Sequence, residues 1–139
     1  MPEEHFEVAD RLHSAAIHLL RTAAKTDTSS GQGPARLSAL SVLVFGGPKT
    51  LGQLAAAERV KPPTMSRIVA GLKQSGLAKV QNDGQDARKI TISVTAKGER
   101  LLQEARRRRI QVLAENLKKL SESDLKTLSK AADLIEKTI

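Results

Sequence analysis

The chain of 139 residues sets 23 Lys and Arg against 15 Asp and Glu, for a formal net charge of +8, and such a surface attracts polyanions. Cysteine is absent, which excludes disulfides, thiol redox sensing and thiolate-ligated zinc. With no Trp, no Tyr and two Phe, Phe6 and Phe45, the core must be aliphatic, and base stacking of the kind single-strand and RNA binders use is nearly out of reach.

In chain order, Glu4 to Ala24 reads as a first helix, because Ala9, Leu12, Ala16, Leu19, Leu20 and Ala23 recur at intervals of three and four. Thr26 to Pro34 is a loop by composition. Leu37 to Phe45 is a second helix, capped by Ser38 or the residues just before it, and Gly46-Gly47-Pro48 ends it. Thr50-Leu51-Gly52-Gln53 has the form of a capping box, in which a hydroxyl and an amide satisfy the orphan donors of a new helix. Leu54 to Glu58 continues that helix with strong helix formers.

Val60-Lys61-Pro62-Pro63 interrupts it, since proline lacks an N–H and restricts its predecessor. The same prolines are tolerated in a first turn, so the next helix runs from Pro62 to Ser75. Met65, Ile68, Val69 and Leu72 form its apolar face, and Gly76 with Leu77 supplies a glycine stop and its apolar follower.

Leu77–Asn82 and Lys89–Val94 read as two strands, Ile90, Ile92 and Val94 alternating with Thr91, Ser93 and Thr95. Asp83-Gly84 is the turn signal between them. A long helix follows, from Ala96 to about Leu120, and Ser121 to Asp124 caps a last helix with a stripe of Leu125, Leu128, Ala132, Ile135 and Ile139.

Short helix, turn, helix and hairpin is the layout of a winged helix-turn-helix, which usually meets DNA. Charge agrees. Between Arg59 and Thr91, Arg59, Lys61, Arg67, Lys73, Lys79, Arg88 and Lys89 face only Asp83 and Asp86, and a basic reader of this kind prefers nucleic acid. A merely solubilising surface is the competing reading.

Within the second helix of the motif, Thr64, Ser66 and Arg67 lie near the N-terminus, the end that enters a major groove. Arg67 has the fork to bind guanine or clamp a phosphate. For Thr64 and Ser66 the alternative is simple helix capping. Lys61 and Lys73 are phosphate contacts, which position without specifying. Ser38 is a candidate for holding a phosphate at helix-terminal N–H groups. The hairpin tip, Asp83 to Lys89, carries Arg88 and Lys89, and Arg88 is long enough to enter a minor groove. Asp86, two residues earlier, is placed to hold it; an incidental surface ion pair is the alternative.

These stretches also resemble the MarR family (multiple antibiotic resistance regulators) over nearly the whole chain. Leu51-Gly52-Gln53-Leu54-Ala55, Thr64 to Val69, Leu72 to Leu77, Asp86-Ala87-Arg88-Lys89 and Val94-Thr95-Ala96-Lys97-Gly98 carry the likeness, by order and spacing together. The resemblance implies a mainly α (α+β) fold: one domain over 1–139, with 37–98 the winged helix-turn-helix and 4–24 and 99–139 a dimerisation bundle. It implies a homodimeric regulator of double-stranded DNA, often a repressor, often released by a small anionic or phenolic effector, and the same Asp86–Arg88 role. It places the effector region near His18 or Arg21.

Other readings are weaker. His5, His13 and His18 stand eight and five residues apart, a poor spacing for metal ligands on one helix face, so no metal or cofactor is expected. No paired nucleophile and base or phosphate loop suggests an enzyme. Arg106 to Arg109 spread over several helix faces and are not assigned to DNA. No apolar run reaches the roughly 18 residues of a membrane span, and Met1-Pro2-Glu3-Glu4 is acidic where a secretory leader is basic, so the expected location is the cytoplasm. The alternative function is a nonspecific DNA-binding or protein-interaction winged-helix module.

Overall fold

A computed structural model describes residues 2–82 and 90–139. Its elements are α1 (Pro2–Ala24), α2 (Pro34–Gly46), β1 (Lys49–Thr50), α3 (Leu51–Glu58), α4 (Pro62–Gln74), β2 (Ala78–Asn82), β3 (Ile90–Val94), α5 (Ala96–Leu117) and α6 (Glu122–Glu136). They fall into two compact units, 26–107 and the combination of 1–25 with 108–139.

The unit 26–107 is a winged helix-turn-helix. Its start is more ordered than the expected loop: Asp27–Ser30 is a turn of 3-10 helix. The second helix begins at Pro34, three residues before the expected start, with Gly33 as an extended N-cap and no side-chain cap. Proline at N1 loses a donor that would be orphaned anyway and brings a helical φ with it, so the Gly-Pro pair begins the helix and Ser38 lies inside it.

The capping box at α3 forms as the spacing predicts. Gln53 N–H donates to Thr50 Oγ1 at 3.1 Å, and Thr50 N–H donates to Gln53 Oε1 at 3.0 Å. The helix stops at Arg59, whose φ of 55° is the left-handed conformation. Val60 N–H reaches back to Ala55 O at 3.0 Å, so the break is made by the backbone one turn before the prolines.

Gly76, with φ +74°, ends α4. Its N–H donates to Lys73 O at 3.0 Å and that of Leu77 to Leu72 O at 2.9 Å, the paired bonds of a Schellman stop.

Three antiparallel strands are ordered β1-β3-β2. Ala78 pairs with Val94 and Asn82 with Ile90. Two-residue β1 was not expected; it pairs Lys49 with Ile92 and Thr50 with Thr91. Helices α2, α3 and α4 close over this sheet around Leu40, Leu43, Leu54, Met65, Leu72 and Ile92, all buried. Each such side chain contributes on the order of 1.5–3 kcal/mol. Alternation in β3 is incomplete at its tip end, where Ile90 is 43% exposed.

In the other unit the picture is different. α6 is capped as expected, Asp124 N–H donating to Ser121 Oγ at 3.1 Å, yet it buries none of its residues. α1 buries only Ala23. The helix α5 stops at Leu117 rather than Leu120, and the chain tightens there, Leu120 N–H donating to Leu117 O at 3.0 Å.

Candidate nucleic-acid interface

The face of α4 opposite its core stripe is the candidate surface. Met65, Val69 and Leu72 turn inward, while Thr64, Ser66, Arg67, Ala70, Lys73 and Gln74 are exposed. A helical period of 3.6 forces that division once the apolar positions are set. Lys61, the N-cap, is exposed as well.

Capping does not occupy the hydroxyls of Thr64 and Ser66, because α4 has no side-chain cap hydrogen bond. Among the described residues, no hydrogen bond or ion pair engages the side chains of Lys61, Thr64, Ser66, Arg67 or Lys73. Pro62 and Pro63 remove two N–H groups from the first turn. Its helix terminus is therefore a poor anion trap, and side chains must do the binding on this face.

Ser38 is placed differently from expectation. The first bond of α2, Leu37 N–H to Gly33 O at 3.1 Å, already precedes it. Its own N–H is thus inside the helix and unavailable to a phosphate. Its hydroxyl faces the carboxylate of Glu58, at 2.8 Å from Oε1 and 2.7 Å from Oε2.

Asp86, Arg88 and Lys89 lie outside the described residues, in the connection between β2 and β3. Lys79, on the wing strand β2, is exposed, as is Gln74 on α4. Lys79 counts toward the basic charge of this segment without an assigned contact, and Gln74 follows from the helical period, seven residues after Arg67.

Half-buried Arg36 belongs to the scaffold of this unit. Arg36, on α2, donates to Gln32 Oε1 at 3.3 Å and lays its guanidinium where a Cβ on Gly71 would be. Of the arginine run, Arg106 and Arg107 are exposed, and Arg108 and Arg109 are half-buried. His5, His13 and His18 are exposed on α1, and among the described residues no three His, Asp or Glu converge on a metal position.

A surface helix with free polar side chains, set in a three-helix core and flanked by a β-hairpin, defines a helix-turn-helix protein of the winged class. A MarR family model matches residues 30–89. Across 97% of this chain and 94% of its own length, an HTH-type transcriptional regulator of Mycobacterium bovis is 36% identical. A MarR family protein from Bacillus stearothermophilus superposes with a TM-score of 0.82 at 21% identity, covering 99% of this chain and 96% of that one. NadR, solved in complex with 4-hydroxyphenylacetate, gives a TM-score of 0.67 at 17% identity over 92% of this chain and 91% of its own. The chain belongs to the MarR family of HTH-type transcriptional regulators. Among the described residues, no helix is long and apolar enough to cross a membrane.

Proposed function

We propose that this regulator is a homodimer that reads a pseudo-palindromic site in double-stranded DNA and represses the genes beside it. The observation that carries the reading is the outer face of α4, where Thr64, Ser66 and Arg67 are exposed and unengaged. Arg67 reads a base edge, Thr64 and Ser66 assist it, and Lys61 and Lys73 hold phosphates. Arg88 and Lys89 extend the contact to an adjacent minor groove, with Asp86 orienting Arg88. The two recognition helices of the dimer sit about 34 Å apart, one turn of DNA.

The dimer reading is supported by the helices that bury almost nothing of their own. Leu20 on α1 is 66% exposed and Leu128 on α6 is 45% exposed. Apolar stripes of this kind are covered in a working protein, and a second copy covers both with two-fold symmetry. Repression follows the commoner habit of the family. A small anionic or phenolic effector that releases the DNA is supported by NadR, whose complex holds 4-hydroxyphenylacetate. Such a protein works in the cytoplasm and needs neither metal nor cofactor.

Fluorescence anisotropy on a labelled duplex from its own upstream region tests this, with excess unlabelled random duplex, at two salt concentrations. Binding that survives the competitor supports specific reading, and steep loss with salt counts the phosphates engaged. Binding abolished by the competitor would transfer the assignment to a nonspecific DNA binder.

A further inference from the structure

The end of α4 is fastened to the beginning of α5 by an unusual concentration of bonds. Ser75, Gly76 and Leu77 follow one another at the helix stop, and each of their carbonyls is taken. Lys97 Nζ donates to Ser75 O at 3.0 Å. Thr95 Oγ1 donates to Gly76 O at 2.7 Å. Thr95 N–H donates to Leu77 O at 3.0 Å. The same Thr95 Oγ1 accepts the Gly98 N–H at 3.0 Å, which caps α5. Gly98 is buried, and a Cβ on it would strike the Leu77 carbonyl oxygen and stand 2.8 Å from Val94 Cγ2.

Carbonyls at a helix end are normally satisfied by the stop itself, by water or by a nearby cation. Here two residues about twenty positions further on supply the donors, and one of them is also the first cap of another helix. A single hydroxyl thus serves two helices: its proton goes to α4 and its lone pair to α5. Lys97 adds a positive charge at the negative end of the α4 dipole.

We propose that Thr95 and Lys97 are positioning residues for DNA recognition: they set the pose of the recognition helix by clasping its C-terminal end to the first turn of α5. The proposal rests on the DNA reading of α4 given above. Neither residue need touch DNA. Their effect appears in discrimination between sequences, because base contacts demand a fixed helix while phosphate contacts tolerate a loose one.

The test uses the full-length protein as wild type, Thr95→Val, Thr95→Ser, Lys97→Met and the Thr95→Val/Lys97→Met pair. Amide exchange in the free protein comes first. Gly76 and Leu77 are expected to exchange about tenfold faster in Thr95→Val and in Lys97→Met, with the amides of α2 unchanged, and Thr95→Ser is expected to restore the wild-type rate. Anisotropy then compares the upstream duplex with a random one. The paired variant is expected to lose about tenfold on the upstream duplex and less than about threefold on the random one.

Unchanged exchange at Gly76 and Leu77 overturns the clasp. Equal loss on both duplexes overturns the positioning role and makes Lys97 a phosphate contact; no loss on the upstream duplex overturns it also. If the wild type itself does not discriminate between duplexes, the DNA reading falls and positioning for recognition falls with it. The exchange rates still decide whether α4 is fastened to α5.

Discussion

The hydroxyl of Ser38 points between the two carboxylate oxygens of Glu58, at 2.8 and 2.7 Å, and so joins α2 to the last residue of α3. A hydroxyl with an anion already beside it is a poor partner for a second anion. Ser38→Ala is therefore expected to lower the melting temperature by about 3 °C, the scale of one hydrogen bond in a domain of this size. Affinity for the upstream duplex should stay within about threefold of wild type, since no base or phosphate contact is lost. A tenfold loss of affinity in the anisotropy assay would return Ser38 to the DNA-binding set.

Arg67→Ala should separate sequence reading from general attraction. The expected loss on the upstream duplex is about 10- to 100-fold, the range of one bidentate base contact. Thermal stability should not change, because Arg67 is exposed and engages no described partner. Lys73→Ala should instead weaken all duplexes alike and lower the salt slope by about one. Titrations of both duplexes across a salt series distinguish the two, and a uniform loss for Arg67→Ala would reassign it to phosphate.

Arg88→Ala is expected to weaken DNA binding much more than it affects stability, with Asp86→Ala showing a smaller loss in the same direction. Calorimetry beside anisotropy measures both. Equal losses of melting temperature and affinity would point to a structural role for the pair.

Dimerisation through the exposed stripes predicts that stability depends on protein concentration, as it must when folding and association are linked. Leu128→Asp on α6 places a charge in that stripe. Sedimentation velocity should find the wild type as a dimer and the variant shifted to monomer, with upstream-duplex binding reduced. A wild-type monomer at tens of micromolar, on the order of common interface affinities, would remove the two-half-site reading.

Ser93 on β3 has its Oγ buried without a hydrogen-bond partner among the described residues. A buried unpaired hydroxyl costs about 1–3 kcal/mol. Ser93→Ala is accordingly expected to be neutral or to raise stability by up to about 1 kcal/mol, which urea unfolding resolves. Marked destabilisation would mean that the hydroxyl is bonded in solution.

Much of this fold is legible because its signals are local. The Thr50–Gln53 box, the Gly76 stop and the Ser121 cap each depend on four or five neighbouring residues, and each forms as its spacing predicts. The exposed face of α4 was readable for the same reason, since its apolar positions fix which side remains. Less legible features arise from distance or brevity. A two-residue strand such as β1 has no alternation to detect. Ser38 and Glu58 are twenty residues apart, and nothing in either neighbourhood announces the other. Arg59 takes a left-handed φ that glycine or asparagine would have advertised and arginine does not. The Gly33-Pro34 start of α2 was available, but the polar composition of the preceding loop outweighed it.

Thr50 closes β1 against Thr91 and is also the N-cap of α3. One edge strand of the sheet and the first helix of the helix-turn-helix therefore share one residue, so the two fray together at that end. An opening that lifts α3 must unzip the strand, and one that peels the strand must uncap the helix. The free energy of local opening there is common to both elements, so their protected amides should exchange as one cooperative block. The edge of the wing and the entry to the helix-turn-helix behave as a single mechanical part.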